Sequence, residues 1–163
     1  MESRYSVYIM GSITMKKFFK IFGALLLAIF VLLLSSRLIW PAINDVETGK
    51  TAEYPELKPY HSKLPLEAVF WVAARTAKTM PLWTITNIQK SEGLIQAEAT
   101  TPSMGFVDDV TINVDRVKDS DQVVVNLRSK SRVGKSDFGA NARRIKAFLA
   151  RLETNLEVLR LSR

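Results

Sequence analysis

Beyond residue 65, the hydrophobic positions follow a helical period, then the two-residue period of strands, and then a helical period again. Pro65 suits the first turn of a helix that Pro81 ends after about Met80. A second helix is predicted from Phe138 to Leu159. Between the helices lie four runs with strand-like alternation: Leu82–Gln89, Leu94–Thr101, Val107–Val114 and Gln122–Ser131. This order predicts an α+β domain over residues 65–163, a four-stranded antiparallel meander with two helices packed on one face.

The same patterns assign side chains to faces. Six apolar strand positions should face the helices: Val110, Ile112, Val114, Val123, Val125 and Leu127. Polar positions should form an open face of the sheet: Gln96, Glu98, Thr100, Asp109, Thr111, Asn113, Asn126, Arg128, Lys130 and Arg132. The inward stripe of the first helix is Val69, Val72, Ala73, Thr76, Ala77 and Met80, widened by Phe70 and Trp71. That of the second helix is Phe138, Ile145, Phe148, Leu149, Leu152, Leu156 and Leu159.

An uncharged apolar run, Ile21–Ser36, precedes this domain. As a helix it spans about 24 Å, which is short of the roughly 30 Å hydrocarbon core of a bilayer. The apolar residues 38–40 lengthen it, so residues 21–40 are predicted to form a transmembrane anchor. A cleaved signal peptide is the alternative, but Leu34 is too large for its position before the best cleavage point.

Cations indicate how the anchor is oriented. Three lysines within residues 16–20 precede the apolar run, so residues 1–20 should stay in the cytoplasm. We therefore expect a single-pass protein of the bacterial inner membrane, with its C-terminal domain in the periplasm or outside the cell. Met15 followed by two lysines is typical of a bacterial export start, and residues 1–14 are interpreted as an over-extended gene start.

Residues 41–64 are predicted to be an extended arm. Four of the six prolines lie between Pro41 and Pro65, and proline disfavours helices and central strands. Four apolar side chains can hold the arm along the domain: Tyr54, Leu57, Tyr60 and Leu64.

Composition limits the kinds of functional site and partner that are expected. The net charge is +7, and between Arg128 and Arg151 only Asp137 opposes the basic residues. Cysteine is absent, which excludes disulfides and thiolate chemistry. The single histidine, His61, lies in the arm, so neither a Ser-His-Asp triad nor a metal site is expected, and no cofactor is predicted. Nucleic acid is not an expected partner, because the basic residues are not interleaved with aromatic ones.

The segment Arg128–Arg144 joins the last strand to the last helix and carries more polar side chains than a fold requires there. Gly134 permits a turn, and either Ser136 or Asp137 can cap the helix. Helix N-termini bind anions through free N–H groups, and arginines add charge-assisted hydrogen bonds. A ligand-binding site is predicted here, formed by Arg128, Ser129, Ser131, Arg132, Ser136, Asp137, Asn141 and Arg144.

A purely structural role would use the same residues. Asp137 can itself cap the helix, and Asn141 can satisfy buried backbone groups. Asp108 and Asp109 can form ion pairs with the arginines. Being adjacent on a strand, these two aspartates point to opposite faces and do not form a paired-carboxylate site alone.

The junction also carries a family resemblance. Its pattern is Arg128-Ser129-x-Ser131-Arg132-x-Gly134-x-Ser136-Asp137-x-Gly139-x-Asn141-x-x-Arg144-Ile145. Further matching pieces are Asn44-Asp45-Val46 with Thr48, then Ile95–Thr101, then Phe106–Val110. From about Ile43 to Leu152 the chain resembles the uncharacterised bacterial and plastid proteins called domain of unknown function 1499. The resemblance implies membership, an α+β fold and, as in many relatives, an N-terminal hydrophobic segment, but no reaction.

Three functions stay open at this point. The leading hypothesis is a non-enzymatic, membrane-anchored domain that binds a partner protein or an anionic envelope component through the Arg128–Arg144 junction. The second is a hydrolase-like enzyme that uses Asp108, Asp109 or Asp137 with neighbouring serines and arginines. The third is a structural envelope component in which the junction serves folding alone.

Overall fold

The computed structural model describes residues 15–102 and 105–162, except for the side chains of residues 15, 16 and 36–39. The chain forms two compact units, Met1–Ile39 and Trp40–Arg163. The interpretation of residues 1–14 as an over-extended start lies outside the described residues.

The described part of the first unit is one helix, α1, Met15–Ile39. Twenty-five helical residues extend about 37 Å. The segment Lys17–Ser35 has a mean hydropathy of 2.5 and is not buried within the protein. An apolar helix of this kind is unfavourable in water, and α1 is long and apolar enough to cross a membrane.

The second unit combines one antiparallel sheet with two helices. The helices are α2, Leu66–Thr79, and α3, Ala140–Leu161. The strands are β1, Asp45–Glu47; β2, Tyr60–Ser62; β3, Trp83–Gln89; β4, Leu94–Thr100; β5, Val107–Arg116; and β6, Val123–Ser131. The strand order is β1-β6-β5-β4-β3, and β2 also pairs with β6. The predicted α+β class and antiparallel sheet are therefore confirmed.

The predicted number of strands is wrong, because the sheet has six strands and not four. The two additional strands come from the proline-rich arm and pair with the outer edge of β6. Thr48 connects to β6 just after β1, since its N–H donates to Leu127 O at 2.9 Å and Leu127 N–H donates to Thr48 Oγ1 at 3.0 Å. Three-residue strands between prolines have no detectable period, yet they satisfy backbone groups that an exposed edge would leave unpaired.

The core lies between the helices and one face of the sheet. α2 contacts β3 and β5, α3 contacts β6 and β1, and the two helices contact each other. All six strand positions predicted to face the helices are buried. The arm packs against this core as expected: Leu57 is buried, and Tyr54, Tyr60 and Leu64 are partly buried.

Two aromatic residues differ from the predicted helical stripes. Phe138 was expected on the inward face of the last helix but is 56% exposed, and α3 begins only at Ala140. Its backbone has a φ of 51°, so it lies in a turn and not in the helical period. Trp71 was expected to widen the stripe of α2, but it is 45% exposed and contacts Phe70 edge to face.

Candidate functional site

Asn141, in the first turn of α3, is at the centre of a buried polar network. Its Oδ1 accepts hydrogen bonds from Ser129 Oγ at 2.6 Å and from Arg144 Nη1 at 2.5 Å. Its Nδ2 donates to Ser131 Oγ and to the carbonyl oxygen of Asn44, both at 3.0 Å. Two acceptor sites and two donors are the full capacity of an amide side chain, so Asn141 is completely satisfied.

Arg144 extends the network to the neighbouring strand. Its Nη2 lies 2.6 Å from Asp108 Oδ2, and its Nη1 also donates to Ser129 Oγ at 2.8 Å. The side chains of Arg144 and Asp108 are only 10% and 3% exposed. A buried ion pair requires such additional hydrogen bonds to offset its desolvation. The five side chains of Asp108, Ser129, Ser131, Asn141 and Arg144, which we call the buried network, connect β5, β6 and α3.

Asp137 occupies the N-terminus of α3. Its Oδ1 accepts from the N–H of Gly139 and its Oδ2 from the N–H of Asn141, both at 2.8 Å. A carboxylate there interacts favourably with the helix dipole. Two of the N–H groups predicted for an external anion are thus already bonded to the chain's own aspartate.

Two further predicted site residues, Arg128 and Arg132, lie on the open face of the sheet, away from the buried network, whereas Ser136 lies in the loop before α3. Arg132 donates to Asp109 Oδ1 and Glu98 Oε1, both at 2.6 Å, and these hydrogen bonds raise the pKa of Arg132. Arg128 donates to Asp45 Oδ1 at 2.9 Å. This hydrogen bond lowers the pKa of the Asp45 carboxyl group. The eight predicted ligand-binding residues therefore do not form one constellation, since β6 divides them between two faces.

A cleft of about 490 Å³ opens beside the buried network. Asp108 and Ser131 contribute to its lining from the sheet, and Ser136 and Asp137 from the loop before α3. Its walls include three exposed apolar side chains, Phe106 at 46%, Val133 at 60% and Phe138 at 56% exposure. Arg143 lines the cleft as well and donates its Nη1 to the carbonyl oxygen of Phe138 at 2.8 Å. We call these residues the junction cleft.

Trp40 packs against the start of α3 next to the junction cleft. The guanidinium carbon of Arg143 lies 5.8 Å from the centroid of the Trp40 ring, which is a cation–π distance. A Cβ at Gly139 would lie 2.5 Å from Trp40 Cδ1, and Gly139 has a φ of 74°. Glycine is therefore required there both by the backbone and by the ring.

Sequence reasoning missed the junction cleft, Arg143 and the Trp40 contact. Trp40 is distant in sequence from α3, and no local pattern indicates such a contact. Tyr54 was expected only as an apolar anchor, yet its hydroxyl oxygen is buried without a hydrogen-bond partner among the described residues. Burial, followed by the charge of Asp137, raises the pKa of this hydroxyl.

Three residues bear on a paired-carboxylate or histidine-based site: Asp108, Asp109 and His61. Asp108 and Asp109 lie on opposite faces of β5, as expected for adjacent strand residues. His61 lies on β2, opposite Val124, and its side chain is exposed. Over residues 15–102 and 105–162, no three histidine, aspartate or glutamate side chains group as metal ligands.

Comparison with known proteins places the chain in a family. Residues 38–152 match the family described as "Protein of unknown function (DUF1499)". The match covers most of the chain, and the protein belongs to this family, as its resemblance implied. No curated protein matches the sequence significantly.

Proposed function

We propose that this member of the DUF1499 family is a membrane-anchored, exported binding protein without catalytic activity. It binds an anionic component of the cell envelope in the junction cleft. The observation that carries the proposal is a contrast between neighbouring residues. The side chains of the buried network are bonded to one another, whereas the junction cleft beside them has exposed apolar walls and Arg143, a cation without a carboxylate partner among the described residues.

The anchor is supported by α1. Its apolar segment Lys17–Ser35 is uncovered by protein and long enough for a bilayer. Lysines at its N-terminal end favour a cytoplasmic N-terminus, which puts the unit that begins at Trp40 on the other side of the membrane.

Anion binding is supported by the charges around the junction cleft. Arg143 and Lys135 have no carboxylate oxygen within 4.0 Å among the described residues. By contrast, of the carboxylates that line the cleft, Asp108 is paired with Arg144, and Asp137 alone lacks a cationic partner within the described part of the chain, its oxygens accepting hydrogen bonds from helix N–H groups. The charge that remains available to a ligand is therefore positive.

The hydrolase alternative has less support in the geometry. Of its three aspartates, Asp109 faces away from the junction cleft and Asp137 uses both oxygens as a helix cap. Asp108 is paired with Arg144, and Ser131 Oγ receives a hydrogen bond from an amide and not from a base. No nucleophile–base pair is formed by these residues.

The structural alternative explains the buried network but not the exposed apolar walls. Apolar side chains exposed together on one surface usually mark an interaction site. Arg143→Ala distinguishes the binding function from the structural one. If the protein binds a ligand here, loss of this exposed cation should weaken ligand binding and leave folding nearly intact.

Two experiments in intact cells test the proposal. First, a reporter enzyme that works only outside the cytoplasm is fused to the C-terminus, and we expect it to be active. If a reporter that works only in the cytoplasm is fused at the same place and is active, export is contradicted.

Second, a photo-crosslinking amino acid replaces Val133, which is 60% exposed on the junction cleft. Its matched control replaces Ser120, in the turn at the opposite end of β6. We expect an anionic envelope component to be captured from position 133 and not from 120, and the capture to fall several-fold with Arg143→Ala. Equal capture from both positions, or capture that is insensitive to Arg143, contradicts the proposal.

A further inference from the structure

We infer that the anionic component is a phospholipid of the bilayer in which the protein is anchored. An acyl chain of this lipid lies against the walls of the junction cleft, and its phosphate binds Arg143. The inference rests on the proposed function, because it names the ligand of the same cleft.

Covalent connectivity links Trp40, beside the junction cleft, directly to the end of α1. Ile39 is the last residue of α1, and Trp40 follows it at the usual separation of about 3.8 Å between Cα atoms. Once α1 crosses a bilayer, Trp40 lies at the exit of the span, the depth at which tryptophan is enriched in membrane proteins. Arg143 and Gly139 contact Trp40, so this edge of the cleft lies within reach of the lipid headgroups.

The chemistry of the cleft matches a phospholipid in two parts. Phe106, Val133 and Phe138 form apolar walls that are exposed in the protein alone and would be covered by an acyl chain. Arg143 supplies a guanidinium, whose fork of N–H donors suits phosphate oxygens. Lys135, between the cleft residues Gly134 and Ser136, adds a second cation that favours an anionic over a zwitterionic headgroup.

Phe138 is held with its side chain outward by its own backbone. A φ of 51° is unusual for a bulky residue, and its carbonyl oxygen accepts a hydrogen bond from Arg143. The two capping bonds of Asp137 fix the residues on either side of this turn. Such strain is maintained only where the surroundings impose it and is characteristic of binding sites. The cleft therefore presents an aromatic wall and a cation through one shared turn.

The absence of cysteine allows a direct test with single spin labels. The full-length protein is reconstituted into vesicles of phosphatidylglycerol and phosphatidylcholine. Three variants are labelled separately: Val133→Cys in the junction cleft, Ser120→Cys in the far turn and Ala28→Cys in α1. The accessibility of each nitroxide to membrane-soluble oxygen and to an aqueous nickel complex reports its depth.

We expect label 28 to be deeply buried, label 133 to be more accessible to oxygen than to nickel, and label 120 to show the reverse. If label 28 is aqueous, the anchor and with it the proposed function fail. If label 28 is buried but label 133 is as aqueous as label 120, the lipid inference alone fails.

A second arm tests the phosphate contact. In vesicles of phosphatidylcholine alone, the ratio of oxygen to nickel accessibility at label 133 should fall several-fold, because the label moves toward the aqueous phase. Arg143→Ala in the mixed vesicles should have the same effect. Arg143→Lys should keep most of the effect. An accessibility ratio of label 133 that is equal in both lipid compositions overturns the anionic-lipid assignment. So does a shift of label 133 to the aqueous phase when inorganic phosphate is added to mixed vesicles, which would indicate a site for a free anion. Thermal melting of each variant confirms that the fold is retained.

Discussion

The guanidinium of Arg144 and the carboxylate of Asp108 lie 2.6 Å apart, with side chains only 10% and 3% exposed. The pair connects α3 to β5, two elements that the chain joins only through β6. Ser129 and Asn141 supply the additional hydrogen bonds that a buried arginine needs. The pair therefore fixes the position of the first turns of α3, on which the junction cleft depends.

Breaking this pair should destabilise the domain strongly. Removal of one partner leaves the other charge buried and unpaired, which costs about 3–5 kcal/mol. For a domain of this size, we expect Arg144→Gln to lower the Tm of the full-length protein in detergent by roughly 10 °C. The measurement is thermal unfolding followed by circular dichroism.

Its control is Arg132→Gln, which removes the exposed pairs with Glu98 and Asp109 and should change the Tm little. In addition, the double variant Asp108→Asn/Arg144→Gln should be less destabilised than the sum of its single variants. Similar falls in Tm for Arg144→Gln and Arg132→Gln would contradict a special role of the buried pair.

Asn141→Ala should also destabilise the domain, because four hydrogen bonds are lost in a fully buried site. Each polar partner left unsatisfied costs about 1–3 kcal/mol, and we expect the Tm to fall by at least several degrees. Asn113→Ala is the matched control, since Asn113 lies on the open face of the sheet. A Tm for Asn141→Ala as high as that of Asn113→Ala would show that the network is dispensable.

The fold was predictable where a hydrophobic period is repeated along an element. It was not predictable where a single side-chain contact determines where an element begins. Alternation in β5 and β6 was sufficient to assign Val110 and Leu127 to the core. For Phe138, the predicted helix began two residues too early, because the side chain of Asp137 caps the helix and Phe138 lies in the turn between them.

The candidate site shows the same division. Its position on the chain could be identified from the density of polar residues around Asn141. The partners could not, because Asn44 and Trp40 are distant in sequence from α3 and neither stands in a recognisable pattern there. Contacts of this type arise from the path of the arm, which is set by edge pairing with β6.

The Asp45–Arg128 pair predicts a pH dependence of stability. The hydrogen bond from Arg128 holds the pKa of Asp45 below its ordinary value of 3.8. Since the folded-state pKa is the lower one, the stabilisation is present above pH 3.8 and is lost as the pH falls through the folded-state pKa. Asp45→Asn should therefore reduce the fall in Tm between about pH 5 and pH 2. Arg128→Gln should reduce it similarly, and a slope unchanged in both variants would refute the assignment.

Gly139→Ala should disturb both the backbone of α3 and the position of Trp40. The residue has a φ of 74°, and an added Cβ would lie 2.5 Å from Trp40 Cδ1. Gly105→Ala isolates the effect on the backbone. Gly105 has a φ of 65°, and no described atom lies within 4 Å of a Cβ added there. Positive φ alone costs an alanine about 1 kcal/mol, so Gly105→Ala should lower the Tm by a few degrees. Gly139→Ala should lower it clearly further and shift the tryptophan emission to longer wavelength as Trp40 is displaced. Equal Tm values and unchanged emission would show that Trp40 does not pack on Gly139.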